Sequence, residues 1–299
     1  MAKHNMLLGY ARGSVGDVTF SRVKGQQVAR ARNRQPNNPR TKSQMSQRTI
    51  FVSAVEFFRR GSQNLFQFAF ENKKATQSDY NAFMSENAKK GIFLKKDMVN
   101  NANVPMIGNF TMSKGTLTRD IRVTGGIAKI GNVNTQYDSS PAKIGEFSTA
   151  MKNFGYSDGD IITLVAINAD DFTPSADAPV VAGNNAPKWN IKQITLDSTS
   201  TDAVTDGWNI NFYQDTEGGA VVGIDMTFQD AVDTATGVGA VCAIVSRKES
   251  TGLKVTNSEL VGSTKWNQAI QYGQAAAWKN AVLADWKAAD EAILEGSLS

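Results

Sequence analysis

The chain has 299 residues, 41% of them hydrophobic and 20% charged, which leaves room for one large domain or two ordinary ones and excludes wholesale disorder. Its net charge of +4 hides an asymmetry: residues 1–100 hold 18 Lys and Arg against 6 Asp and Glu, a net +12, and the remainder holds 14 against 22, a net −8. A basic first third on an acidic remainder points to a polyanion at one end of the chain, with a merely solvated charged face as the plain alternative.

In chain order, Met6 to Leu8 is too short an apolar run for a signal-peptide core. Nothing else marks export, so synthesis inside a cell is the default expectation. Gly9, Gly13 and Gly16 form a turn-rich entry that lacks the Lys-Ser/Thr pair of a phosphate-binding loop. Asp17 to Arg32 alternates β-formers on both sides of Lys24-Gly25, which predicts a hairpin with Val18, Phe20 and Arg22 on one side. Arg34 to Thr41 is a breaker, because Pro36 and Pro39 cannot continue a strand ladder. Thr41 and Gln44 have capping-box spacing for a helix running to about Arg59, with Gly61 as its stop. Arg40, Lys42 and Arg48 stand near the start of that helix, where the dipole and unpaired N–H groups suit a phosphate.

Leu65, Phe66, Phe68 and Phe70 read as core packing against this helix, with a base-stacking platform as the minor alternative. A second helix is expected from Thr76 to about Lys90, with Tyr80, Phe83, Met84 and Asn87 on one face. Together these segments predict an N-terminal hairpin and helical module.

The order G-x-x-G-D-V-T-F-x-R-x-K-G, then N-P-R-T-x-x-Q-x-x-Q-R-x-x-F, then S-D-Y-N-A-F covers roughly the first third of the chain. It rests on Gly13, Gly16, Asp17, Phe20, Gly25, Asn38, Pro39, Arg40, Thr41, Gln44, Gln47, Arg48, Phe51, Tyr80, Asn81 and Phe83. This pattern resembles the N-terminal module of an uncharacterised family encoded by Bacteroidota and by their phages and prophages. Members often carry β-rich C-terminal regions, and similar Asn-Pro-Arg-Thr modules occur in virion structural components. The resemblance therefore implies a structural role and transfers no catalytic residue.

Residues 95–115 are a polar connector, and a soft boundary is expected near residue 100. From Thr116 the pattern turns to β: Ile161 to Ile167 is apolar almost throughout, as a central strand would be, and segments near 189–196, 208–213, 219–228, 240–247 and 252–255 follow. Spacing and turns predict an antiparallel sandwich or open barrel, the sandwich being immunoglobulin-like or jelly-roll-like. Asp170, Asp171 and Asp177 lie in a long loop without EF-hand spacing, which reads as an interaction loop rather than a metal site. Thr264 to Gly296 reads as one terminal helix whose Trp278, Val282 and Trp286 lie four apart. That stripe can dock on its own domain or on another subunit, where aromatic anchors are common.

The expected class is α+β: residues 1–100 a basic module, 101–262 the sandwich, 263–299 the terminal helix. No apolar run approaches the ~20 residues of a membrane span. Cys242 and His4 are the single cysteine and histidine, so neither a disulfide nor a Cys-His or Ser-His-Asp site is expected. No cofactor and no small-molecule substrate is implied, and the expectation is a non-enzyme. The leading expectation is a self-assembling phage virion protein, made in the host cytoplasm and residing in the virion. Its phosphate contacts would be Arg12, Arg22, Lys24, Arg30, Arg32, Arg34, Arg40 and Arg48, and its subunit contacts Trp278, Val282 and Trp286. The alternative is a non-viral Bacteroidota adaptor that self-assembles without nucleic acid.

Overall fold

The computed structural model describes residues 3–5, 10–23, 26–32, 41–61, 65–66, 69–71, 73, 77–124, 126–133, 136–169, 171–183, 187–204, 208–214, 220–228 and 237–296. The chain divides into two compact units, Met1–Thr41 and Lys42–Ser299.

The first unit is a four-stranded antiparallel meander in which β1 (Lys3–Asn5), β2 (Tyr10–Val15), β3 (Val18–Val23) and β4 (Gln26–Ala31) lie in sequence order. The expected hairpin is β3–β4. The Gly-rich entry adds β1 and β2, closed onto β3 by the two-residue turn Gly16-Asp17, where Gly16 takes φ +57°. A left-handed residue in a two-residue hairpin turn matches the twist of the flanking strands, which is why a glycine stands there.

The second unit, the body, has a sandwich backed by helices. One sheet runs β10 (Lys188–Thr195), β9 (Ile161–Ala169), β13 (Val238–Glu249), β14 (Gly252–Val255), with β16 (Val261–Gly262) also on β13. The other runs β6 (Arg122–Thr124), β7 (Ile127–Gly131), β12 (Val221–Phe228), β11 (Trp208–Gln214), β8 (Gln136–Ser139). A short pair joins β15 (Ser258–Glu259) to β5 (Thr111–Ser113). All strand pairings are antiparallel, as predicted.

Strand β9 explains the layering. Ile162, Leu164 and Ala166 face Ile130, Phe212, Ile224 and Met226 of the other sheet, and α4 (Ile144–Lys152) adds Phe147 and Met151 to that core. Val165 and Ile167 point the opposite way, into a core with Phe57, Phe83, Phe110 and Trp266. Successive residues of a strand face opposite sides, so a strand buried on both faces must be apolar throughout. Cys242 of β13 lies in the second of these cores, where burial pushes its thiol up and leaves it inert.

α1 (Lys42–Arg60) and α2 (Asp79–Asn87) contribute to that second core, where Phe57 and Phe110 meet as tilted rings at 4.1 Å and Phe58 and Phe66 stack at 4.8 Å. Leu65, Phe66 and Phe70 are buried there, while Phe68 lies outside the described residues. Helix α2 begins at Asp79, with Ser78 Oγ accepting from Asn81 N–H at 3.2 Å. Phe83, Met84 and Asn87 are buried on its inner face. These helices share one core with β9 and β13, and the compact units divide at residue 41.

The expected single terminal helix is two: α5 (Thr264–Gly273) and α6 (Ala276–Gly296). The break follows Gly273, whose carbonyl accepts from Phe93 N–H at 3.0 Å. A Cβ on Gly273 would lie 2.6 Å from Ile92 Cγ2, so the close approach that stops the helix also requires the glycine. The four-residue α3 (Lys96–Val99) presents its first N–H, that of Lys96, to Asp285 of α6 at 2.9 Å. No helix among the described residues is long and apolar enough to cross a membrane.

Candidate nucleic-acid interface

The pleat of the N-terminal sheet sorts its residues onto two faces. Ser14 pairs with Thr19 and Thr19 with Arg30, so these three form one cross-strand row. The Ser14 and Thr19 hydroxyls are 3.0 Å apart, as that register requires. Arg12 lies two residues before Ser14 on β2 and therefore on the same face. Arg32 extends the β3–β4 ladder by one step, its N–H donating to the Asp17 carbonyl at 2.6 Å, and so keeps the side of Arg30. Arg12, Arg30 and Arg32 are all exposed, and among the described residues no carboxylate pairs with them. One face thus carries three guanidinium groups beside a strip of hydroxyls, donors that can meet successive phosphate oxygens.

The remaining expected contacts scatter. Arg22 pairs with Gln27 and stands at a register position on the opposite face, two residues from Phe20. Lys24, Arg34 and Arg40 lie outside the described residues. Arg48 is exposed on α1, in the other unit, where its guanidinium approaches Met45 Sδ at 4.0 Å. Arg59 and Arg60 are engaged in the body: Arg59 meets the buried Glu56 at 3.0 Å, and Arg60 donates to the Asn101 carbonyl at 2.8 Å. Ser14 and Thr19 join the face without having been singled out. Only the pairing of the Gly-rich strand reveals them.

The stripe expected to meet another subunit faces its own chain. Trp278 is 2% and Val282 0% exposed, both packed with Phe93. The Trp278 indole donates to the Phe93 carbonyl at 2.7 Å and that of Trp286 to the Leu94 carbonyl at 2.8 Å. The indole N–H groups of Trp278 and Trp286 and the apolar area of Trp278 and Val282 are therefore used within the fold.

Among its described residues, the body offers no comparable constellation. A groove of about 740 Å³ runs beside α4, lined by Lys143, Glu146, Thr149, Ser198 and Ser200. Glu146 is committed to the helix start, accepting from Ala142 N–H at 2.9 Å, so it is not poised as a base. Asp160 is buried and bidentate with Arg247 at 2.6 Å, a structural pair. Asp171 pairs with Lys265, and Asp170 lies outside the described residues. Among the described residues, no group of three or more His, Cys, Asp or Glu side chains is arranged to hold a metal.

No curated protein and no solved structure matches the chain. Residues 10–150, slightly under half of it, are similar to a family described as "Family of unknown function (DUF6266)", a match that takes in β2–β4 and every expected phosphate contact from Arg12 to Arg48.

Proposed function

We propose that the protein is a self-assembling structural component of a phage virion whose N-terminal sheet contacts packaged nucleic acid through phosphates. The observation that carries this reading is the exposed face bearing Arg12, Arg30 and Arg32 beside the hydroxyls of Ser14 and Thr19. Such a face neutralises phosphates and releases counterions, so binding is tight at low salt and indifferent to sequence. The body acts as scaffold and not as an enzyme. Glu146 is engaged in a helix cap and Asp160 in an ion pair, and the one cysteine is buried.

A filter-binding assay with duplex and single-stranded nucleic acid at low and moderate salt tests the reading. Binding that weakens steeply with salt and ignores sequence supports it, and no binding at low salt refutes it. A second reading, an adaptor of a Bacteroidota cell that self-assembles without nucleic acid, is favoured by the apolar character of the opposite face of the same sheet. Electron microscopy with and without added nucleic acid separates the two: closed shells that need nucleic acid belong to the first.

A further inference from the structure

The charge on the cationic face of the N-terminal sheet is not evenly spread. Its arginines belong to β2 and to the β4 ladder, on either side of β3. Arg30 and Arg32 are two residues apart, about 7 Å along one strand direction. Arg12 is two strands away, about 10 Å across the sheet. It stands one row beyond Ser14, on the side away from Arg32, so about 12 Å separates its backbone from that of Arg30. Between them β3 contributes Thr19 and, two residues on, Ser21, while its arginine, Arg22, holds a register position on the other face. Ser14 lies level with Thr19 and Arg30. Guanidinium groups therefore flank a neutral strip that bears hydroxyls. Adjacent arginines would converge on one phosphate; these are set apart.

We infer that this face takes duplex nucleic acid, straddling a groove so that Arg12 meets the phosphates of one strand and Arg30 and Arg32 those of the other. The inference deepens the proposed function and rests on its phosphate reading. A B-form duplex carries its phosphates along the two edges of each groove, and its major groove is about 12 Å wide. That width matches the separation of Arg12 from Arg30. A single strand presents one line of phosphates. It can follow Arg30 and Arg32 along the strand direction, and then it leaves Arg12 without a phosphate.

The neutral strip suits the groove between those edges. The Ser14 and Thr19 hydroxyls, 3.0 Å apart, can each donate or accept. They can therefore meet either kind of base-edge group, directly or through ordered water, without choosing a base pair. A charged or bulky residue in the same place would select or exclude bases. The arrangement reads the form of the nucleic acid and is indifferent to its sequence.

Duplexes attract any basic surface more strongly than single strands because their charge density is higher. A preference for duplex alone thus does not separate straddling from plain attraction, and the arginine variants do. The test is fluorescence-anisotropy titration of the full, nuclease-treated chain at low salt. The ligands are a labelled DNA duplex and one of its separated strands, each against wild type, Arg12→Ala and Arg32→Ala. Both positions are exposed, and a circular-dichroism spectrum equal to that of wild type confirms that the variants fold. Arg32→Ala is expected to weaken both ligands, roughly tenfold. Arg12→Ala is expected to weaken the duplex by a similar factor and to leave the single strand unchanged. Arg12→Ala that weakens both ligands alike, or neither, overturns the straddling while the phosphate reading stands. Arg32→Ala that leaves duplex binding untouched overturns it as well. Wild type that binds neither ligand removes the phosphate reading with it.

Discussion

Glu71 ties the start of the sandwich to the helical layer, and Glu71→Gln is the sharpest test of how the body is held. One carboxylate oxygen accepts from Lys254 Nζ at 2.7 Å and Thr116 Oγ1 at 2.8 Å; the other accepts from the N–H groups of Thr116 at 2.6 Å and Val255 at 3.3 Å. Burial alone would push this carboxyl up. The Lys254 ammonium and the Thr116 and Val255 donors outweigh it and pull the group from an ordinary 4.5 to about 2. Linkage over that interval is on the order of 3 kcal/mol. Lys254 is 35% exposed, so solvent screening brings the usable part to about 1–2 kcal/mol. Because the folded value is depressed, the stabilisation is complete above about 4.5 and is lost as pH falls toward 2. Urea unfolding followed by the fluorescence of the buried tryptophans should show the variant less stable than wild type by that amount at neutral pH, with the gap closing through acid. Equal midpoints at neutral pH, or a gap that does not shrink on acidification, would refute the clasp.

Gly273→Ala gains up to about 1 kcal/mol of helix propensity but drives a methyl into Ile92, an overpacking cost of about 1–3 kcal/mol, so a lower melting temperature is expected. Trp278→Ala removes a buried ring and its hydrogen bond and should cost about 3–5 kcal/mol in chemical denaturation, without changing the sedimentation of dilute protein. A thiol reagent should leave Cys242 unmodified in the native protein and react fully after denaturation.

Much of the body is legible from residue pattern. The unbroken apolar run of β9 announces a strand covered on both faces, and the structure supplies the two cores that cover it. The end of α1 at Gly61 and the inner face of α2 are equally plain in the text. What could not be read depends on partners distant in sequence. Strand β2, GYARGSVG in context, has too many glycines to look like a strand and becomes one only by pairing with β3. The break at Gly273 is set by Ile92, far away in the chain. Trp278 and Trp286 have the spacing of an anchor stripe, and spacing does not say whose carbonyls the indoles will find. For the candidate interface, a count of basic residues drew Arg22 and Arg30 together, and the register sets them on opposite sides.

That two-faced register makes the central claim directly measurable. The slope of binding constant against salt concentration, on logarithmic axes, counts the phosphates a protein neutralises, at about 0.9 per phosphate on duplex DNA and about 0.7 on single strands. If Arg12, Arg30 and Arg32 each meet a phosphate, replacing all three with alanine should flatten the slope by about 2–3, whereas Arg22→Ala, on the apolar side, should change it far less. A triple variant that keeps the wild-type slope, or an Arg22→Ala variant that loses as much, would contradict the assignment of the cationic face to nucleic acid.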